Sequence, residues 1–180
     1  MLYIVECTYT DPTSEAEWND FYTRVKLPAL LSVDGFSTSQ RFRALTPGCP
    51  VWLAIHTVRD AAVLTGAEYR LKGGGSFAQW QASIGDWRRG LYQCAEPAPA
   101  VSAEQILLLA ARPLDVLDRE LGYRPWRLRA AGLDSFPEGR LAYVIPPDNA
   151  RLFAATADIC LYQPLTDQLY PLQGGVHEHN

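Results

Sequence analysis

What most constrains this chain is an order of segments that runs through it twice: strand, helix, strand, strand, helix, strand. Residues 2–9, LYIVECTY, have the β-branched and aromatic content of a strand. After the turn TDPTS, Ser14 and Glu17 stand in the S-x-x-E pattern of a capping box. Trp18, Phe21, Tyr22, Val25 and Ala29 then recur at helical spacing, and Pro28 is expected to kink or end that helix. VDGF (33–36) reads as a turn, with Gly35 free to take positive φ. STSQRFRAL (37–45) and VWLAIHTV (51–58), separated by TPGCP, read as a hairpin. Asp60 is placed to cap a second helix, AAVLTGAEYRLK, which GGG (73–75) stops. FAQWQASIGDW connects, partly helical if Phe77, Trp80, Ile84 and Trp87 share a face, to a closing strand RRGLYQC (88–94).

AEPAPAVSA (95–103) has linker composition. Beyond it QILLLAAR reads as a strand, PLDVLDRELG as a short helix, PWRLRAA and GRLAYVIPP as a second hairpin, DNARLFAATA as a helix and DICLYQPL as a last strand. RFRAL is echoed by RLRAA, WLAIHTV by RLAYVIP and DAAVL by DNARLFA, all in the same order, which points to a degenerate duplication. The expected fold is α+β: two tandem ferredoxin-like βαββαβ halves forming an α/β barrel, closed within one chain or in a homodimer. The expected divisions are a first half at 1–95, a linker at 96–103, a shorter second half at 104–166 and a C-terminal arm at 167–180.

Composition narrows the functional classes. Of 180 residues 48% are hydrophobic and 20% charged, enough to bury a real core. A net charge of -4 lacks the basic face that nucleic acid demands. No apolar run approaches the roughly 20 residues of a membrane span; the longest, ILLLAA (106–111), is strand-sized. The opening MLYIVECTYTDP has no basic region and meets Glu6 early, so no export signal is read there and a soluble, cytoplasmic protein is expected. Cys7, Cys49, Cys94 and Cys160 are scattered without a C-x-x-C pair, and no disulfide framework is expected. Exposed strand edges on each half need covering, so a homodimer is expected.

On LYIVEC, the corner GFSTSQRF, the strand VWLAIHTV and the closing DWRRGLYQ, the first 94 residues resemble the EthD-like branch of the dimeric α/β-barrel superfamily. That superfamily includes cofactor-free monooxygenases, lactone isomerases, polyketide cyclases, haem enzymes and proteins with no known reaction. The resemblance implies a fold and a pocket for a small apolar or aromatic ligand, with no cofactor. Haem, with His56 as axial ligand, is the minority alternative.

Period-2 geometry then places candidates. On 51–58 the aliphatic Leu53 and Ile55 are expected beneath the helices, which sends Trp52 and His56 into the barrel. A carboxylate is costly beneath helices, so Glu6 is placed in the barrel too, within reach of His56. Phe42 is assigned to the helix side, turning Arg41 and Arg43 to the barrel or its rim. His56 would move a proton and Glu6 orient it. Arg41 or Arg43 would hold an anion, and Trp52, Tyr92 and Trp87 would supply the walls. The expected activity is cofactor-independent acid/base chemistry beside a carbonyl: isomerisation, cyclisation, elimination, or oxygenation of an enolisable aromatic. The alternative is a non-catalytic ligand-binding or assembly module in which the same groups form a satisfied polar network. KGGGS (72–76) follows a helix and lacks the order of a phosphate loop, and no G-x-G-x-x-G follows a strand. No zinc ligand set is read, His177, Glu178 and His179 lying in a tail.

Overall fold

A computed structural model describes residues 1–73, 77–134 and 137–172. Its strands are β1 (Leu2–Tyr9), β2 (Phe36–Ala44), β3 (Trp52–Val58), β4 (Ile84–Gln93), β5 (Ile106–Ala110), β6 (Trp126–Leu133), β7 (Gly139–Ile145) and β8 (Ile159–Pro164). They close one barrel in the order β1-β3-β2-β8-β5-β7-β6-β4, and every neighbouring pair is antiparallel. Read around the ring, β4-β1-β3-β2 and β8-β5-β7-β6 follow the same permutation, joined at β2–β8 and β4–β6. Closure within one chain removes the free edges on which the homodimer expectation rested.

Alternation of side chains divides the apolar residues into three groups. Leu2, Ile4, Phe42, Leu53, Ile55, Tyr92, Leu107, Leu109, Leu128, Ala142 and Tyr162 fill the barrel. Tyr3, Val5, Cys7, Trp52, Ala54, Val58 and Leu91 face outward, beneath Trp18, Tyr22, Leu27, Leu30 and Tyr69 of the first helical layer. Ile106, Leu108, Leu141, Tyr143 and Ile145 face outward beneath Leu114, Leu117, Ala150 and Phe153. The proline-rich stretch expected as a linker is packed into the structure. Ala98 and Val101 join the barrel core, the Ala98 N–H donates to Thr57 Oγ1 (3.0 Å), and Gln40 Nε2 donates to the Val101 carbonyl (2.7 Å).

The first helical layer is α1 (Glu15–Phe21), a π-helical turn Tyr22–Lys26, and α2 (Leu27–Leu31). Pro28 lacks an N–H and cannot continue an ordinary i→i−4 ladder, which accounts for the widened turn just before it; wide turns of this kind recur at functional sites. The capping box does not form. Ser14 instead donates to Asp11 Oδ2 (2.8 Å) and shares a 2.6 Å hydrogen bond with the Tyr9 hydroxyl. The second helix divides at Gly66 into a 3-10 segment Ala61–Thr65 and α3 (Ala67–Lys72), and Asp60 caps neither; its stop at GGG lies partly outside the described residues. The stretch expected to be partly helical holds a 3-10 turn, Gln81–Ser83, and then enters β4, which begins at Ile84. In the second half the helices shrink to a π-type turn Val116–Glu120 and α4 (Pro147–Ala150) with a 3-10 turn Arg151–Phe153. Gly35 sits at φ +99, where an added Cβ would lie 2.4 Å from Val63 Cγ2.

The cysteine expectation is corrected. Cys49 and Cys160 are disulfide-bonded with Cα atoms 5.9 Å apart, tying the β2–β3 loop to β8, while Cys7 and Cys94 are free. No helix among the described residues is long and apolar enough to cross a membrane.

Candidate active site between the sheet and the first helical layer

In register, Tyr3 lies opposite His56 across β1 and β3, and Glu6 lies opposite Leu53. Directly paired residues share a face, so His56 goes with Tyr3 beneath the helices and Glu6 goes with Leu53 into the barrel. The expected Glu6–His56 pairing therefore does not form; the wall of the barrel separates them. Trp52 also lies under the helices, packed edge-on against Trp18 at 6.0 Å. The expected assignment of Leu53 and Ile55 to the helix side is reversed because a closed barrel excludes water from its interior, and aliphatic side chains fill it.

The arginines of β2 are corrected in the same way. Arg41 is 1% exposed under the helices, with no carboxylate partner among the described residues. It donates to the Asn19 carbonyl (3.2 Å), Asn19 Oδ1 (2.7 Å) and Thr23 Oγ1 (3.0 Å), and its guanidinium lies 4.1 Å from the Tyr22 ring centre. Burial depresses its pKa. Arg43 is exposed, 5.7 Å from the Trp52 ring. Tyr92 is buried in the barrel core, away from His56.

Glu6 is held in the barrel by Arg140 (Nη2–Oε1 2.5 Å) and Arg88 (Nε–Oε2 3.3 Å). Of the sequence candidates, the structure brings together His56 and Trp87. Both line a cavity of about 550 Å³ between the outer sheet face and the first helical layer. Its other walls come from Tyr3 and Val5 on β1, Tyr22 and Lys26 on the π turn, Leu30, Tyr69, Phe77, Gln81, Ile84, Arg89 and Asp134.

His56 is fully buried, with Nδ1 2.6 Å from Ser39 Oγ and its ring stacked on Tyr3 at 5.4 Å. Its Nε2 is buried without a hydrogen-bond partner among the described residues. Burial, reinforced by the positive charge of Lys26, pushes its pKa down to about 3. At pH 7 the imidazole is neutral, and protonating it in the resting protein costs about 5 kcal/mol. Beside it runs a hydroxyl chain: Tyr3 and Tyr69 share a 3.3 Å hydrogen bond, and Arg89 Nη1 donates to the Tyr3 hydroxyl at 3.4 Å. Burial and the neighbouring Tyr69 raise the Tyr3 pKa, keeping it a neutral donor. Lys26 Nζ donates to the Gly73 carbonyl (2.5 Å) and lies 5.3 Å from the Phe77 ring centre. Tyr3, Tyr69, Lys26 and Arg89 escaped the sequence reading. The signal that finds Tyr3 and Arg89 is strand register with His56: Tyr3 pairs with His56, and Val5, two residues on, pairs with Arg89.

A scan against protein-family models finds no match, and a search of curated proteins finds none. Solved structures do share the fold. A protein described as anthrone oxidase-like superposes with a TM-score of 0.59 at 9% identity, over 96% of this chain and 94% of that one. A putative monooxygenase from Fusobacterium nucleatum gives 0.59 at 9% identity, over 95% of each chain. Another from Lactobacillus acidophilus NCFM gives 0.52 at 8%, over 96% of this chain and 99% of that one. At these identities the likeness is one of fold alone.

The expectation of a site without cofactor is corrected by these neighbours, since proteins described as monooxygenases belong to a reaction class that typically requires flavin or NAD(P)H. The described lining offers aromatic residues (Tyr22, Phe77, Trp87), two cations (Lys26, Arg89) and one carboxylate (Asp134), a donor set compatible with a flat ring bearing negative charge. The glycine fingerprint of a dinucleotide loop after a strand is absent from the sequence.

Proposed function

We propose that this chain is a monooxygenase-like enzyme that takes a flat, hydroxylated aromatic compound into the cavity between the sheet and the first helical layer. The observation that carries the reading is the buried, unpartnered Nε2 of His56 in the wall of an aromatic-lined cavity of about 550 Å³. A buried ring nitrogen without a partner is costly, and a substrate hydroxyl at that point removes the cost.

His56 acts on the hydroxyl proton, with Ser39 fixing the ring through Nδ1. A resting pKa near 3 makes it a hydrogen-bond partner in the empty site. Proton transfer becomes favourable only as a phenolate or enolate forms, because that anion supports the imidazolium beside it. Arg89 and Lys26 stabilise the same anion, and Tyr3 donates through the hydroxyl chain. Trp87, Phe77 and Tyr22 hold the ring plane. Were a reduced flavin bound, it would activate dioxygen, one oxygen atom entering the substrate and the other leaving as water with two electrons drawn from an external reductant. Glu6, Arg41, Trp52 and Tyr92 stand outside this site. Behind it, the shared strand permutation supports a degenerate duplication of a ferredoxin-like unit.

The alternative reading, a module without activity, rests on the barrel interior, which is filled. The open cavity lies elsewhere, on the His56 face, and favours the enzyme. Calorimetric titration with 1-naphthol, followed by assay of anthrone oxidation with and without added flavin and reductant, tests the proposal. Binding is expected in the wild type, with turnover abolished in His56→Gln and weakened in Arg89→Met. Absence of binding, or unchanged turnover in His56→Gln, overturns it.

A further inference from the structure

The same barrel carries a second polar cluster that the proposed chemistry does not use. Inside the barrel, Glu6 is flanked by two guanidinium groups, Arg140 and Arg88, whose side chains are 10% and 35% exposed. Among the described residues, one carboxylate is ion-paired with these two guanidinium groups, so the cluster carries a net positive charge. The neighbouring phenols do not neutralise it. Burial raises the pKa of both Tyr92 and Tyr162, so they stay protonated. Among the described residues, Arg140 Nη1 is buried with no hydrogen-bond partner, although Nη2 is bound to Glu6 and the Tyr92 phenol is hydrogen-bonded to the same guanidinium. An orphaned donor on a nine-tenths buried guanidinium is a standing cost unless an acceptor arrives from outside.

Room for that acceptor exists. Arg88 and Arg140 line a cavity of about 550 Å³, distinct in its walls from the His56 cavity except for its adjacency through β4. Pro50, Leu109, Ala110 and Ile159 give it apolar sides. The disulfide between Cys49 and Cys160 stands in its wall and fixes the β2–β3 loop there. Asp158, exposed, is the acidic group among its lining residues.

We propose that this mouth of the barrel is a second binding site, for a small carboxylate with an apolar body. A planar carboxylate matches the fork of a guanidinium group, and the aliphatic and proline walls suit a hydrocarbon or single-ring body. Such a ligand completes the charge balance around Glu6 and brings an acceptor to the Arg140 side of the cluster. The site does not depend on the proposed chemistry at His56.

The test is a fluorine-NMR titration of the full chain with 4-fluorobenzoate at low ionic strength, repeated with inorganic phosphate as competitor. Wild type and Arg89→Met are expected to bind 4-fluorobenzoate alike. Arg88→Met and Arg140→Met are expected to weaken it on the order of tenfold or more. Arg88 is partly exposed, so its variant keeps the test valid should Arg140→Met fail to fold. Phosphate is expected to compete poorly. No binding by the wild type, or loss in Arg89→Met with retention in Arg88→Met, overturns the proposal; the second result would place the anion in the His56 cavity. Competition by phosphate as strong as by carboxylate would overturn the assigned ligand class.

Discussion

Lowering the pH from 7 to 4 puts a proton on the imidazole of His56 in the unfolded chain and not in the folded one. The native ring titrates near 3 because of burial and the charge of Lys26, against an ordinary value of 6.5. The folded pKa is the depressed one, so the contribution is fully present above about 6.5 and is lost as pH falls toward 3. At about 1.4 kcal/mol per pH unit, the native state loses about 3 kcal/mol to this group by pH 4. Other groups also titrate in this window, but a His56→Gln variant shares them and cancels them by difference. The assay is urea unfolding followed by tryptophan fluorescence at intervals from pH 7 to 4, for both proteins. The wild type is expected to lose about 3 kcal/mol more than His56→Gln over that range. Parallel stability profiles would show that the ring is reached by protons in the folded state, and the description of a dry, neutral imidazole would be wrong.

Three other substitutions have expected outcomes. Asn19→Ala removes the Oδ1 acceptor of the buried Arg41 guanidinium while keeping the backbone carbonyl contact, and is expected to cost about 1–3 kcal/mol by chemical denaturation. Cys49→Ser with Cys160→Ser opens a link spanning a separation of 111 residues and is expected to cost about 2–5 kcal/mol; alkylation of the denatured, unreduced wild type should label Cys7 and Cys94 and spare the other pair. Gly35→Ala forces a side chain into a positive-φ turn against Val63 and is expected to destabilise by about 1–3 kcal/mol, with a lowered Tm as the readout.

The strands were legible in the sequence because apolar alternation and turn chemistry mark them, and the hairpin β2–β3 falls where Pro and Gly put it. The face of each strand was not. All seven residues of β3 are buried, so its alternation carries no contrast between inside and outside. Glu6 was placed on the correct face by the cost of its charge. Register would then have put Leu53, not His56, beside it. The short helices of the second half were overestimated because Gly and Pro bracket them. Tyr69 and Lys26 reach the cavity from segments whose tertiary placement no local pattern encodes, and the Cys49–Cys160 pairing depends on the β2–β8 seam.

The most direct test of where this chain does its work is a crystal structure of its complex with 1-naphthol. Density in the cavity lined by His56, Trp87 and Phe77, with the hydroxyl oxygen within hydrogen-bond distance of His56 Nε2, is the expected result. A ligand seated inside the barrel, or a His56 cavity left unfilled at saturating naphthol, would contradict the assignment.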